Sequence, residues 1–385
     1  MRCLAWRYGT LPHREPMYIA AAIPLLIWVY LLAARGGFWR VASRRDSLAA
    51  PPTPPPRKVV VLIPARDEAR LIAAAVTSLA QQTFNGSLHV IVIDDGSSDG
   101  TAEAAAAAAR AVGAAARLTL LRGAALPHGW TGKLWALSQG VAAAARFAPD
   151  YLLFTDADIQ HGPRSVARLV ADAEARERDL VSHMVRLPTT TVAERLLLPA
   201  FVFFFFKLYP PAWVAAPRRR TAAAAGGCLL IRPQALARIG GLQAIRSCII
   251  DDCALARAVK ASGGRLSLEL ARDSCSVRVH ESFAVIGATI SRTAFAQLGH
   301  SYLALAATVL GMFVTYLLPP LLLLVGNPVV AALGAAALLC MSVCYLPMVR
   351  FYRLAPPWCL SLPLLVPFYV GAVIVSAVQL SLIHI

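Results

Sequence analysis

The sequence predicts an α/β domain built on a mostly parallel sheet with flanking helices, together with about four transmembrane helices. Strand-like apolar runs alternate with helical patterns between residues 57 and 297, two of these runs end in paired carboxylates, and four other segments are long, apolar and uncharged. Because 58% of the 385 residues are hydrophobic, the composition excludes an ordinary soluble protein and leaves room for one sizeable domain plus membrane spans.

The four membrane segments flank the central domain. The first, at residues 17–34, would measure roughly 27 Å as a helix, close to the thickness of the hydrocarbon core. The others lie at 302–325, 329–346 and 360–383, and Pro319-Pro320 is expected to kink or shorten the earliest of these. A cleaved signal peptide is the alternative for 17–34, but its apolar stretch is longer than a usual signal core and no convincing cleavage site precedes Arg35.

Basic residues gather after the first span, and the positive-inside rule therefore predicts a cytoplasmic central domain in a multi-pass protein. The net charge is +16, but the arginines are scattered and form no stripe with exposed aromatic residues, so anionic lipid headgroups are expected partners and nucleic acid is not. The basic residues that follow the first span are Arg35, Arg40, Arg44, Arg45, Arg57 and Lys58.

A proline-rich spacer at residues 51–56 marks a domain boundary, because consecutive prolines favour a stiff, extended chain. We expect an N-terminal membrane helix with its linker at 1–56, a central domain at 57–297 and a C-terminal membrane region of about three helices at 298–385. The central pattern predicts strands at 59–63, 88–93, 118–121 and 151–155, and helices at 67–82, 101–112, from 131 onward and at 164–177.

Carboxylates follow two of the predicted strands. The run 88–93 ends at Asp94-Asp95 and the run 151–155 ends at Asp156-Ala157-Asp158. If the chain stays extended there, Asp156 and Asp158 point the same way and can share a hard cation such as Mg²⁺ or Mn²⁺. Such ions commonly complete their coordination with water and substrate phosphate, which predicts a diphosphate ligand at the carboxyl ends of the strands.

Lys133 is a candidate phosphate contact. It follows Thr131-Gly132 at the start of a predicted helix, where backbone amides favour anions and a lysine adds a full positive charge. The alternative is a solvated surface lysine.

Five short motifs together resemble family 2 glycosyltransferases with a GT-A (Rossmann-like) fold, over about residues 57 to 297. Longer strings, Thr155 to Ile159, Pro199 to Phe205 and Ala224 to Cys228, are similar to the hopene-associated glycosyltransferases of bacterial hopanoid biosynthesis. The five motifs are Pro64-Ala65-Arg66-Asp67-Glu68, Asp94-Asp95-Gly96-Ser97, Gly132-Lys133, Asp156-Ala157-Asp158 and Ile250-Asp251-Asp252-Cys253-Ala254-Leu255.

The resemblance implies a role for each matching residue. Lys133 would lie near the donor diphosphate, Asp156 against the sugar and ribose, and Asp158, with Asp156, at a divalent metal, Mg²⁺ or Mn²⁺. Asp252 would be the catalytic residue that accepts the proton of the acceptor hydroxyl, giving inversion. The remaining implied donor-binding residues are Pro64, Ala65, Glu68 and Asp95, with Asp95 at the base.

Two departures from the family pattern bear on function. Asp67 stands where the family usually has asparagine, and the Gln-x-x-Arg-Trp box of processive synthases is missing, its place being taken by residues 292–297. Transfer of a single sugar is therefore favoured over chain extension. The alternative reading of Asp251 and Asp252 is a pair of helix-capping carboxylates.

The expectation about the acceptor depends on an apolar run at residues 196–206, which contains four consecutive phenylalanines and lies between Arg195 and Lys207. It is too short to span a membrane. An interfacial helix that admits a lipid acceptor and a buried core helix are both consistent with the pattern.

The expected function is that of a membrane-bound inverting glycosyltransferase of hexosyltransferase type, which moves a sugar from a nucleotide-sugar donor to a lipid acceptor, in hopanoid metabolism if the branch resemblance holds. The same resemblance implies the bacterial inner membrane. A polyprenyl-phosphate or ceramide-type sugar transferase is one alternative. A non-enzymatic membrane protein that binds nucleotide is another, disfavoured because the spans carry no charged residue for a transport path.

Overall fold

The computed structural model describes residues 15–42 and 56–383, and the chain divides into two compact units. One comprises Met1–Trp39 with Gly287–Ile385, and the other comprises Arg40–Ile286. Most of the predicted proline-rich spacer, together with Arg44 and Arg45, lies outside the described residues.

The second unit contains a single eight-stranded sheet of order β3-β2-β1-β4-β7-β6-β8-β5. Strands β1 to β4 pair in parallel, as do β6 and β8, whereas β7 runs antiparallel to β4 and β6, and β5 runs antiparallel to β8. The prediction of an α/β fold is confirmed, and the sheet is mixed, with four parallel and three antiparallel pairings. The strands are β1 Lys58–Ala65, β2 Ser87–Asp94, β3 Leu118–Arg122, β4 Tyr151–Thr155, β5 Ile159–Gln160, β6 Leu180–Arg186, β7 Cys228–Ile231 and β8 Leu266–Ser276.

Helices connect and cover these strands, so β1 and β4 are buried on both faces and read as continuous apolar runs. The predicted helix at 67–82 begins only at Ile72, because residues 67–71 form a loop in which Asp67 has a φ of 54°. The helices are α1 Glu15–Ala33, α2 Ile72–Ala80, α3 Thr101–Ala111, α4 Gly132–Ala144, α5 Ser165–Ala175, α6 Val192–Leu208, α7 Pro211–Ala215, α8 Pro233–Arg238, α9 Asp251–Ala261, α10 Phe283–Gln297, α11 Tyr302–Met312, α12 Leu318–Leu322, α13 Pro328–Phe351 and α14 Leu362–Ile383.

Five helical segments within the described residues are long and apolar enough to cross a membrane. Four coincide with the predicted spans, at Pro16–Ala33, Tyr302–Leu322, Pro328–Phe351 and Leu362–Gln379. The fifth, Val192–Ala215, joins α6 and α7 and contains the phenylalanine run, so the helical segment is longer than the apolar run alone indicated, and it is more than half buried within the protein.

The phenylalanine run lies in α6, where Phe203 and Phe206 are fully buried. These two side chains fit the core-helix alternative, because side chains packed inside the protein cannot face lipid, whereas Phe204 and Phe205 are partly exposed. Thr191 and Glu194 form a capping box at the start of this helix.

The unit that contains α1 and α11 to α14 has a backbone irregularity with a clear cause. A π-helical turn, Phe313–Leu317, separates α11 from α12, and Pro319 has no N–H to donate to the carbonyl of Thr315. The Trp28 indole N–H from α1 donates to that carbonyl instead, at 2.7 Å in a buried position. The same indole packs edge-on against Tyr316 at 5.4 Å between ring centroids. This side chain therefore satisfies an orphan carbonyl between apolar helices.

Candidate active site

The acidic motifs lie at the carboxyl ends of β1, β2 and β4, which are adjacent in the sheet. Ala65 ends β1 opposite Asp94, and the Asp95 N–H donates to the Ala65 carbonyl at 2.9 Å. A Cβ atom added to Gly132 would lie 3.1 Å from Asp95 Oδ2, so this carboxylate faces the start of α4. Burial raises the pKa of Asp95, and the nearby Arg66 partly offsets that rise.

Lys133 lies at the centre of the cluster. The Thr131 hydroxyl accepts from the Leu134 N–H at the start of α4 and so sets where the helix begins. The Lys133 Nζ is 2.7 Å from Asp156 Oδ1 and 3.6 Å from Asp251 Oδ2. Burial alone would lower the pKa of Lys133, but the surrounding carboxylates outweigh it and raise the pKa. Lys133 is thus held charged between two acidic motifs that are almost 100 residues apart in the chain.

Asp252 lies in the first turn of α9, and backbone amides hold both of its oxygens. The Gly226 N–H donates to Oδ2 at 2.8 Å and the Cys253 N–H donates to Oδ1 at 2.6 Å. Ile250 is the N-cap residue and has no side-chain capping bond, so Asp251 and Asp252 are not N-cap residues. Burial, followed by the charge of Asp251, raises the pKa of Asp252 to about 6. A carboxylate of that pKa can accept a proton near neutral pH.

Gly226 is packed closely against Lys133 and Asp252. An added Cβ would lie 3.3 Å from Lys133 Nζ and 3.5 Å from Asp252 Oδ2. These two groups also border a depression whose floor is apolar, and Pro64 forms part of its wall. The floor consists of Leu134, Leu137, Phe154, Leu229, Leu242, Ile245 and Leu255.

Asp156 and Asp158 occupy a turn rather than an extended strand. Strand β4 ends at Thr155, and the Ile159 N–H donates to the Asp156 carbonyl at 3.3 Å. The assumption that side chains alternate through this segment was therefore wrong. The two carboxylates have different partners, since Asp158 Oδ2 accepts from the Ser276 hydroxyl at 2.7 Å whereas Asp156 pairs with Lys133.

Arg278 joins the acidic groups on this side, and sequence reasoning missed it. Its Nε is 3.3 Å from Asp158 Oδ2, and a terminal nitrogen of the same guanidinium contacts Glu68 Oε1. Burial raises the pKa of Glu68, and the hydrogen bond from Arg278 partly offsets that rise. Arg278 follows β8, far from every acidic motif in the chain, and no local pattern marks it.

The oxygen-bearing side chains of the site suit a hard divalent cation only in part. Glu68, Asp156 and Asp158 supply oxygen ligands of the kind Mg²⁺ and Mn²⁺ prefer. Within the described residues no three acidic, histidine or cysteine side chains converge as a ready metal cage. Water and the phosphates of a ligand would have to complete the coordination, as is usual for Mg²⁺.

His161 is buried and contacts Thr155, the last residue of β4. Its Nε2 lies 2.9 Å from Thr155 Oγ1, and that hydroxyl donates to the Gly227 carbonyl at 2.7 Å. Its Nδ1 lies 3.3 Å from Ser165 Oγ. Burial lowers the pKa of His161 to about 4, so the ring stays neutral.

Asp67 has a backbone role at the carboxyl end of β1. Its carboxylate accepts from the Ser98 N–H at 2.9 Å, and its own N–H donates to the Ser97 hydroxyl at 3.0 Å. Asparagine and aspartate both tolerate a positive φ, which explains how aspartate can stand at this position.

Comparison with known proteins bears on the central region. Residues 60–240 match the model of the family described as "Glycosyl transferase family 2". The mannosyltransferase from Pyrobaculum calidifontis, solved in complex with GDP-Man and Mn²⁺, is 17% identical, with a TM-score of 0.53 over 90% of this chain and 98% of that chain. This likeness shows the GT-A fold.

Two other solved structures are more distant. Glucosyl-3-phosphoglycerate synthase from Mycobacterium tuberculosis, in complex with phosphoglyceric acid, is 18% identical, with a TM-score of 0.40 over 63% of this chain and 79% of that chain. TarS from S. aureus is 16% identical, with a TM-score of 0.41 over 62% of this chain and 40% of that chain. No curated protein matches the chain.

Proposed function

Because the chain carries a family 2 glycosyltransferase domain with a GT-A fold, we propose that this glycosyltransferase inverts the anomeric centre and moves a single sugar from a nucleotide-sugar donor to a lipid acceptor in a membrane. The observation that carries the proposal is the convergence of Lys133, Asp156 and Asp252 at the carboxyl ends of the sheet. This edge is where open α/β sheets bind ligands.

Asp252 is the proposed general base. Its carboxylate accepts the proton of the acceptor hydroxyl as that oxygen attacks the anomeric carbon, and the bond to the nucleoside diphosphate breaks on the opposite face. The amides of Gly226 and Cys253 fix the carboxylate in one orientation. A fixed base with a pKa near 6 is mostly ionised at neutral pH and ready to take the proton.

The opposite side of the cluster is proposed to hold the donor. Lys133 contacts the diphosphate, Asp156 the sugar and ribose, and Asp95 the base, with Pro64, Ala65 and Glu68 completing the nucleoside rim. A divalent metal bound at Asp158 and Asp156 would supply positive charge that stabilises the departing diphosphate. Arg278 and the Ser276 hydroxyl both have to release Asp158 Oδ2 for both of that residue's oxygens to become available.

The lipid acceptor is supported by the apolar helices rather than by the phenylalanine run. Four apolar candidate spans, in which Arg350 near the end of Pro328–Phe351 is the one charged residue, belong to one compact unit, which favours a membrane enzyme with a membrane acceptor. The proposal of a bacterial inner-membrane location and a hopanoid acceptor depends on the resemblance of three strings to the hopene-associated branch, Thr155 to Ile159, Pro199 to Phe205 and Ala224 to Cys228.

The test is a donor and acceptor screen. Membranes containing the wild-type protein, the Asp158→Asn variant or no recombinant protein are incubated with a panel of nucleotide sugars and a bacterial lipid extract, with Mg²⁺, Mn²⁺ or a chelator. We expect a new glycolipid by mass in wild-type membranes with metal, and loss of that product with chelator or in the variant. A product formed equally in all three membranes would refute the proposal.

The mass of the product also separates the acceptors. A hexosylated hopanoid would support the hopanoid assignment, whereas a polyprenyl-phosphate sugar or a glycosylceramide would support the alternative transferases. Production of a sugar polymer would contradict the transfer of a single sugar.

A further inference from the structure

The end of α7 and the loop that follows it, residues 213–221, present three consecutive arginines to solvent. Arg218, Arg219 and Arg220 are all exposed, and no carboxylate in the described parts of the chain forms an ion pair with them. The surrounding sequence is similarly one-sided, because residues 195–250 contain eight basic residues and no acidic one. We call residues 213–221 the arginine loop.

The arginine loop is anchored by further cations. The Lys260 ammonium donates to the carbonyls of Trp213, Val214 and Thr221 at 3.1, 2.7 and 2.7 Å, which clasps the two ends of the loop together. Arg178 reaches the carbonyl of Ala215 at 3.4 Å. The loop is therefore held in shape by positive charges rather than neutralised by negative ones.

The electrostatics agree with this arrangement. Burial, followed by the charge of Arg178, lowers the pKa of Lys260. Bringing like charges together costs free energy, which an anionic partner would recover. Three exposed arginines without ion-pair partners, held by Lys260 and Arg178, form a surface suited to bind a dense array of negative charge.

Apolar and aromatic groups border the arginine loop. The guanidinium of Arg219 lies 4.9 Å above the centre of the Trp213 ring, and the side chain of Leu208, the last residue of α6, is 47% exposed. Tryptophan and arginine together are typical of the membrane interface, where the ring lies at the headgroup level and the guanidinium contacts phosphate.

We propose that the arginine loop binds the headgroups of anionic phospholipids. The inference rests on the proposed membrane location but not on the proposed chemistry, because none of these side chains belongs to the candidate active site. The shape and charge of the loop favour a lipid surface over a single soluble phosphate, since three adjacent arginines can each meet a different headgroup. Each basic residue near an anionic membrane raises the affinity of the protein for that membrane about fivefold.

The experiment uses the full-length protein in lipid nanodiscs, either of phosphatidylcholine alone or of an equimolar mixture with phosphatidylglycerol. Hydrogen exchange is followed by mass spectrometry in peptides that cover residues 213–221. We expect exchange about fivefold slower in the anionic discs than in the neutral discs, and we expect high salt to remove the difference.

Two charge-matched variants test whether the arginines cause the effect. Arg218→Gln/Arg219→Gln/Arg220→Gln should abolish the lipid dependence, whereas the control Arg110→Gln/Arg122→Gln/Arg164→Gln, which neutralises three exposed arginines elsewhere, should keep it.

Equal exchange in both lipids, or protection that survives the loop variant, would overturn the proposal. Equal protection in neutral discs by soluble glycerol phosphate would also overturn it, because the ligand would then be free phosphate. Sugar transfer by the loop variant in detergent should match the wild type. A wild type that transfers no sugar would refute the proposed function and leave the exchange result unaffected.

Discussion

Replacing Lys133 by methionine removes the cation that holds Asp156 and Asp251 together. An added Cβ on Gly226 would be 3.3 Å from Lys133 Nζ and 3.5 Å from Asp252 Oδ2, so these two atoms are no more than about 7 Å apart. At that distance, with an effective dielectric constant of about 20, the attraction is about 2 kcal/mol. Because the Lys133 side chain is 37% exposed, solvent screening reduces the attraction to about 1 kcal/mol.

This energy converts into a shift of the pH profile. Lys133 lowers the pKa of Asp252, so its removal raises that pKa from about 6 by about 0.7 of a pH unit. The acidic limb of kcat/KM against pH, measured with purified enzyme and saturating donor, should move upward by that amount, because only ionised Asp252 accepts the proton. Lys58→Met, which neutralises an exposed lysine, should leave the limb in place. An unchanged or lowered midpoint in Lys133→Met would refute the assignment of Asp252 as the titrating base.

Three further predictions concern the framework. Gly226→Ala places a methyl group 3.5 Å from Asp252 Oδ2 and should reduce kcat about tenfold with little change in thermal stability, whereas Gly371→Ala, where an added Cβ meets nothing within 4 Å, should not alter kcat. The pKa of His161 is about 4 in the folded state and 6.5 in the unfolded state, so stability is lost as the pH falls between these values, by about 2 kcal/mol at pH 5. The melting temperature of His161→Gln should therefore fall less steeply than that of the wild type as the pH is lowered. Trp28→Phe removes the indole N–H from a buried carbonyl and should cost about 1 kcal/mol, measurable as a lowered melting temperature, and full retention of stability would contradict that bond.

The sequence was sufficient to predict the parts of the site that lie at the ends of strands. Parallel strands align their carboxyl ends, so acidic residues after β2 and β4 were expected at one rim, and the structure has Asp94 opposite Ala65 there. The apolar spans were also predictable, because length and hydropathy decide them.

Other parts depend on contacts between distant segments and leave no local pattern. Arg278 follows β8 and reaches Asp158 across 120 residues, and Gly226 is recognisable as a positioning residue only when its amide is seen on Asp252. Hydropathy could not separate a buried α6 from an interfacial one, because an apolar residue such as Phe203 has the same hydropathy in either setting. The turn at Asp156 was missed because a tight turn and an extended strand both accommodate Asp-x-Asp.

The most direct test of the central claim is single-turnover sugar transfer by Asp252→Asn, with nucleoside diphosphate binding measured on the same preparation. Asparagine keeps the size of the side chain and can still accept one of the two amide hydrogen bonds, but it cannot take a proton. We expect transfer to slow by about 10²-fold to 10⁴-fold while nucleotide affinity stays within about twofold of the wild type. Transfer at the wild-type rate would contradict the assignment of Asp252 as the general base, and with it the proposed mechanism.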